Sequence, residues 1–451
     1  MYAVNSIHAV KFEKEFYYFR PMNVPLPVRL LLILFAVLEL LLITYWRNKF
    51  GAYVSPIILM TSSFMVAIMY LKSINNNIES NNLSVIKYKN IALGAMLILF
   101  GGLCAIIFFK LKHIFAAIAI SETDTSWSDV IPQIFTLTRR FLRGEMPYYP
   151  IPYHDHALFP TYLPMQWLPY TIAEKMKIDY RWIPAGILFL SSTYHFIQTI
   201  SKSQQITVKL GIAALWPVII WATLIFYDID LFGVTVESLI AAYYLFTASA
   251  VRKGNIYLLA TGLCLTLLSR YGIIFWVPCA IAALFFRHGF KPVAKVGAIL
   301  LLAFLMIYWL PFMRMDSLIF LKGYAYHTNA ALGEWRHLNE QGQPTHLYNG
   351  LGIASLIYRL FNSWPLALRL ALHQKIHLGV CITYIVALTY WYYRQRSSIS
   401  LKTFLLFSLK SYLTLFYLFI QIPYAYLFFT PLIVTSVLLA DGLSNETKPI
   451  C

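Results

Sequence analysis

Runs of about twenty apolar residues recur along this chain, and a run of that length suits one structure above others: a helix crossing the ~30 Å hydrocarbon core of a bilayer. The candidates cover 28–45, 53–71, 91–109, 183–200, 207–227, 233–250, 256–286, 293–313, 376–393, 403–421 and 423–440. The 256–286 stretch reads as two short spans broken at Ser269-Arg270-Tyr271-Gly272. With Phe159–Ala173 as a further short span, the total is about ten to thirteen. The expected fold is an all-α, polytopic transmembrane helix bundle, a single membrane domain over residues 1–451. Charged side chains make up 12% of the chain, roughly half the share of a soluble domain, which argues against an ordinary water-soluble enzyme.

A net charge of +17 would point to nucleic acid in a soluble protein, but here much of the basic excess lies in short connections between spans. Membrane lipid, not nucleic acid, is the expected partner of that charge. By the positive-inside rule, Lys72/Lys87/Lys89, Arg252/Lys253, Arg287/Lys291/Lys295 and Arg394/Arg396/Lys402 mark the cytoplasmic side. Lys11, Lys14, Arg20 and Arg29 put the amino terminus there too, ahead of an uncleaved first helix. The connections 110–158 and 314–349 are then external, as is Asp228-Ile-Asp230. The parity of the three apolar segments in 158–227 does not close, so one of them is expected to be re-entrant, interfacial or wrongly bounded. Five cysteines, nearly all within apolar runs and without CxxC spacing, argue against disulfides and zinc.

The external connections hold the chemistry. Val130, Ile131, Ile134, Leu137, Phe141 and Leu142 recur near helical spacing with Arg139, Arg140 and Arg143 between them, which predicts an amphipathic helix in the headgroup interface, ended by Gly144 and Pro147. Asp129 stands just before that helix. A carboxylate there serves either as a general base for an acceptor hydroxyl or, with Ser128, as a helix cap. Glu122 and Asp124 are the alternative acids, and Glu39, inside the first span, is expected to be buried against another helix. His154-Asp155-His156 offers two imidazoles and a carboxylate, but adjacent residues on an extended loop point apart, so a shared divalent metal is not favoured. Asp228 and Asp230 suit metal binding or acceptor contacts, or a plain acidic turn between short spans. In 314–349, Lys322, Tyr324, Tyr326, His327, Glu334, Trp335, Arg336, His337 and His346 form a surface able to grip a polar ligand. Arg270 interrupts an apolar hairpin, and a charge at that depth calls for a partner or a role.

Ser128-Asp129, a helix of about fourteen residues, Gly144-Glu-Met-Pro147-Tyr148, and Phe159-Pro160-Thr-Tyr162-Leu163-Pro164 opening a new segment together resemble the first external loop of GT-C superfamily glycosyltransferases. The likeness is to the polyprenyl-phosphate-mannose mannosyltransferase and lipid A aminoarabinose transferase branches. It covers about 40 residues, with a weaker echo at His346-Leu-Tyr348-Asn349-Gly350 followed by Ser355 and Arg359. Here Thr161, Tyr162 and Leu163 separate the prolines that stand in tandem in the family, and Asp129 lies outside any Asp-Glu or Asp-x-Asp pair.

The resemblance implies Asp129 as the catalytic acid, Gly144, Pro147 and Tyr148 as the loop's turn, and Phe159, Pro160 and Leu163 as the start of the next helix. It implies transfer of a sugar, such as mannose, from a polyprenyl-phosphate donor to an envelope glycan, glycolipid or protein at the external face of a bacterial inner membrane, without cofactor. Arg270, or Arg139, Arg140 and Arg143, would then hold the donor phosphate. Tyr148, Tyr162, His154, Asp155, His156, Asp228, Asp230 and His327 would contact substrate. An O-antigen-type polymerase and a lipid-linked oligosaccharide flippase are the alternatives. The second should show paired inverted halves, whereas the ionisable groups here gather in asymmetric loops. Walker, dinucleotide-binding and nucleophile-elbow motifs are all lacking.

Overall fold

The computed structural model describes residues 27–47, 49–75, 89–122, 128–152, 157–201 and 207–444. The basic residues Lys11, Lys14, Arg20 and Lys87, and the segment His154-Asp155-His156, lie outside them. The chain is helical almost throughout. It begins with α1 (Pro27–Ile43), α2 (Gly51–Asn75) and α3 (Lys89–Ala117), followed by α4 (Val130–Leu142). A two-residue hairpin of β1 (Ile151–Pro152) and β2 (Ala157–Leu158) leads to the short α5 (Pro164–Trp167) and α6 (Thr171–Met176). Then come α7 (Trp182–Ser201), α8 (Val208–Tyr227), α9 (Ile229–Gly233), α10 (Glu237–Lys253), α11 (Ile256–Leu267), α12 (Trp276–His288) and α13 (Phe290–Phe304), the last running on as a π-helix over Leu305–Met313. The chain closes with α14 (Ile319–Arg336), α15 (Thr345–Tyr348), α16 (Ala354–Leu360), α17 (Leu366–Gln395), α18 (Leu401–Leu418) and α19 (Phe429–Leu443).

Among the described residues seven helical stretches are long and apolar enough to cross a membrane: 51–74, 90–117, 208–227, 290–313, 366–395, 401–418 and 425–443. This is the architecture of an integral membrane protein. Of the other expected spans, α1 and α10 have 17 residues, α11 12 and α12 13, short of the ~20 that a crossing asks for. Helix α7 has 20, but Ser191, Ser192, Thr193, His195 and Gln198 dilute its apolar run. The break expected inside 256–286 is present, between α11 and α12.

Phe159–Ala173 is not a span. Pro160, Pro164 and Pro169 divide it into an extended entry, α5, a 3-10 turn at Leu168–Tyr170 and the start of α6, because proline lacks the N–H that continues a helix. With that segment removed, 158–227 holds two long helices, α7 and α8.

Helix α19 is central, with 94% of its span buried inside the protein against 11% for α3 on the periphery. It packs on α1, α2, α8, α10 and α18. Helix α11 approaches α10 closely at Gly262, where a Cβ would sit 2.9 Å from the Thr247 Cα, so only a glycine fits the crossing. Glu39 is fully buried, as the sequence implies, and its partner is Lys410 of α18. Ser63 donates to the same carboxylate, Thr435 donates to its Oε2 at 2.8 Å, and the Lys410 ammonium donates to the Pro431 carbonyl at 2.9 Å. One ion pair thus joins α1, α2, α18 and α19.

The bundle has two chemically distinct ends. At one, Asp441 accepts from Tyr70 and Lys402 at 2.8 Å each and lies 3.5 Å from Arg252, while Arg287 donates to the Arg396 carbonyl at 2.9 Å. The basic connections therefore share an end. At the other, Arg181 is buried and ties three turns together: it donates to the carbonyls of Phe115 at 2.8 Å, Ile118 at 2.9 Å and Gly233 at 3.3 Å, and pairs with Asp179 at 2.6 Å. That knot fixes where the chain leaves α3 for the connection that carries Asp129.

Removing one member of a buried ion pair strands the other. Lys410→Met should therefore lower unfolding stability by about 3–5 kcal/mol, and Glu39→Leu/Lys410→Met should recover most of it. Thermal unfolding in detergent checks this; a double variant no better than the single one would contradict the pairing.

Candidate functional site

Asp129 sits exposed at the start of α4 with φ −79° and ψ −7°, and its side chain does not cap the helix. The Ser128 hydroxyl accepts from the Val130 N–H at 3.2 Å, and Asp129 Oδ2 accepts from Gln133 Nε2 at 2.9 Å. Of the two roles open to it, capping is therefore not the one adopted. Helix α4 is amphipathic as expected, but Ile131, Ile134 and Leu137 bury against Trp167, Tyr170, Tyr180 and Leu239 of the protein itself. Its apolar face is an internal contact, not a lipid one, so Asp129 is held against the body of the bundle.

Tyr162, on the extended proline segment, lies within the field of Asp129. Tyr148 lies beneath it, donating to the Tyr162 carbonyl at 2.9 Å and accepting from Trp167 Nε1 at 3.1 Å. The segment is pinned to the α11–α12 break where the Met165 N–H meets the Leu268 carbonyl at 2.8 Å, and to α10 where the Tyr243 hydroxyl meets the Met165 carbonyl at 3.1 Å. Helix α14 crosses this segment, with Gly323 close to Pro160 and Thr161 and Phe320 packed edge-on to Tyr271 at 5.2 Å.

Arg270 occupies the break itself. Its two terminal nitrogens both engage Glu237, the first residue of α10, Nη1 at 2.7 Å from Oε2 and Nη2 on Oε1. Glu237 is sealed, at 3% side-chain exposure, while Arg270 keeps 20%. The cation is thus anchored yet reachable. A bidentate carboxylate uses two of a guanidinium's five N–H donors, so the pairing does not exhaust it.

These groups share one electrostatic neighbourhood. Burial, and then the charge of Asp129, raise the phenols of Tyr162 and Tyr326 above the ordinary tyrosine range. Burial also raises Tyr424, with Tyr426, Glu334 and Asp129 adding to it. Tyr417 and Tyr426 lie within reach of Arg270. His327, on α14, keeps some surface exposure and lies within the field of Arg270. Further out, His346 Nδ1 pairs with Glu334, and its ring packs 5.0 Å from that of Tyr424, which stacks on Tyr426 at 5.1 Å. The stretch between α15 and α16 is tied here to the α18–α19 turn: the Leu351 N–H donates to the Pro423 carbonyl at 3.1 Å and the Ile353 N–H to the Leu418 carbonyl at 2.9 Å. At Gly350 a Cβ would collide with the Pro423 carbonyl.

The structure therefore brings Asp129, Tyr162, Arg270 and His327 together, with Tyr148 as a support beneath. Of the remaining expected site residues, His154, Asp155 and His156, like the alternative acid Asp124, lie outside the described residues, and the others are placed elsewhere or otherwise engaged. Arg139 pairs with Glu174 at 3.0 Å and with Glu122, which commits the alternative acid Glu122 as well. Arg140 donates to the carbonyls of Pro147, Tyr149 and Pro150, closing the turn after α4, and Arg143 ends that helix. Asp228 pairs with Arg47 at 2.8 Å and caps α9, where Asp230 is exposed. Burial raises the Asp228 carboxyl despite Arg47. Among the described residues no three His, Cys, Asp or Glu side chains are grouped to hold a metal ion.

Sequence reasoning missed Glu237, Tyr417, Tyr424 and Tyr426 as parts of the site. Glu237 carried a usable signal, since an acid at the head of an apolar helix calls for a partner. No protein-family model, curated protein or solved structure matches the chain.

Burial, and then the charge of Arg270, hold the His327 imidazole below its ordinary value. The unfolded chain then binds this proton at higher pH than the folded one, so stability falls as pH drops below about 6.5. The unfolding temperature should fall further between about pH 7.5 and 5.5 in the native protein than in His327→Gln. Equal falls would remove His327 from the field of Arg270.

Proposed function

We propose that the protein is a GT-C-type glycosyltransferase that moves a sugar, a hexose such as mannose, from a polyprenyl-phosphate donor to an envelope glycan, glycolipid or protein. The bundle end with Asp129 would face the outside of a bacterial inner membrane. The observation that carries this reading is an exposed carboxylate, Asp129, at the start of α4, with Tyr162 lying in the fields of both it and the Arg270–Glu237 pair, whose arginine keeps 20% side-chain exposure.

In the proposed reaction the Asp129 carboxylate takes the proton of the acceptor hydroxyl as that oxygen attacks the anomeric carbon. The bond from that carbon to the phosphate oxygen breaks, and the phosphate leaves with its electron pair. Arg270 meets the charge that develops on it, held by Glu237 so that little reorganisation is needed. Arg139 and Arg140 are the second candidates for the phosphate; like Arg270 they are already engaged, by carboxylates and by backbone carbonyls. Tyr162, Tyr326, Tyr424 and Tyr426 supply ring surface and hydroxyls suited to a sugar. The basic connections at the opposite end support the orientation, by the positive-inside rule.

The test is sugar transfer in membranes from a panel of radiolabelled polyprenyl-phosphate monosaccharides. Asp129→Asn at matched expression should lower the rate by about 10²-fold or more, the usual contribution of a positioned base. Transfer unchanged by Asp129→Asn, or none from any donor, would overturn the assignment.

A further inference from the structure

An apolar groove of about 590 Å³ runs between α12 and α17, well inside the size range of ligand sites. Pro278, Ala282 and Phe286 line one side at four-residue spacing, so a single face of α12 forms that wall. Val386, Tyr390 and Tyr393 of α17 form the other. Proline and alanine leave the space, because neither reaches across to α17. Val386 and Tyr390 are 61% and 62% exposed, so the groove opens sideways to the surroundings of the bundle.

The end of this groove is basic. Phe286 and Tyr393 meet edge-on at 5.2 Å and close it, and the Arg396 guanidinium lies 4.6 Å over the Tyr393 ring. Arg287 donates to the Arg396 carbonyl at 2.9 Å, so two guanidinium groups stand over one apolar slot. Neither α12 nor α17, nor the connections that follow them, carries an Asp or Glu: none occurs between Glu237 and Asp316, or between Glu340 and Asp441. Asp441, at the same end, is engaged by Lys402, Arg252 and Tyr70.

A solvated basic turn would need no groove, and an annular lipid contact would need no paired arginines. An apolar slot capped by two cations matches an amphiphile with a long tail and an anionic head. We propose that this groove binds one anionic diacyl phospholipid, with an acyl chain between α12 and α17 and the phosphodiester on Arg287 and Arg396. The site lies at the opposite end of the bundle from Asp129 and stands independently of the transferase reading.

Native mass spectrometry of the full chain in detergent tests it, with phosphatidylglycerol and phosphatidylcholine as probes. One phosphatidylglycerol should be retained about tenfold more tightly than phosphatidylcholine, and Arg287→Gln/Arg396→Gln should bring the two to parity. Val386→Phe, which fills the slot from its open side, should weaken both lipids while gel-filtration behaviour and unfolding temperature stay native. Lys253→Gln/Lys291→Gln removes the same charge at the same end and should leave the preference intact. Equal retention of the two lipids by the native protein would overturn the proposal. So would an equal loss in the lysine variant, an unaffected Val386→Phe, or displacement of phosphatidylglycerol by an equimolar polyprenyl phosphate.

Discussion

Where water is excluded, a charge stays only with its partner, and the central helices of this protein are arranged around that rule. Glu39 and Lys410 are fully buried and hold each other together with Ser63 and Thr435, so α1, α2, α18 and α19 meet at one point. Arg252, Asp441, Tyr70 and Lys402 form a second junction among α2, α10, α18 and α19. Apolar packing alone drives helix association in lipid weakly, since lipid tails are as apolar as leucine. Paired charges restrict which helices can be neighbours, and α19, common to both junctions, is consequently the most enclosed.

The same rule shapes the candidate site. Arg270 stands at a break between two short helices, and its charge is tolerable there because Glu237 receives it in bidentate fashion. The pair ties the head of α10 to the α11–α12 turn, to which the Met165 backbone also binds. Asp129 approaches from a different direction, carried on a helix whose apolar side is glued to that body. The acid and the cation thus belong to separate elements held in fixed relation by aromatic packing.

Much of this was legible in the sequence, and the reasons for the remainder are specific. Apolar runs located the long helices, and Ser269-Arg270-Tyr271-Gly272 located the break between α11 and α12. Asp129 stood out by the resemblance of its loop, against a capping role that the local pattern also offered, and Arg270 as a charge interrupting an apolar hairpin. Phe159–Ala173 misled, since its hydropathy resembles a span while three prolines forbid one. Pairings were invisible for a different reason: Lys410 lies 371 residues from Glu39, and Glu237 33 from Arg270, and no local periodicity encodes such distances. The arginines of α4 looked like anion ligands, but partners brought in by tertiary folding, Glu174 and the Tyr149 carbonyl, claim them.

The backbone contact at Gly350 reaches beyond its own turn. The segment 350–353 hydrogen-bonds to the carbonyls of Leu418 and Pro423, so the connection after α14 is tied by its backbone to the α18–α19 turn. That turn carries Tyr424 and Tyr426, and Glu334 and His346 sit against it. Asp129 stands with α4, away from that turn in sequence. Helix α14 touches both sides, through Gly323 against Pro160 and Thr161 and through Trp335, whose Nε1 donates to the Gln421 carbonyl at 2.8 Å, so a change in the tilt of this one helix would be felt on both.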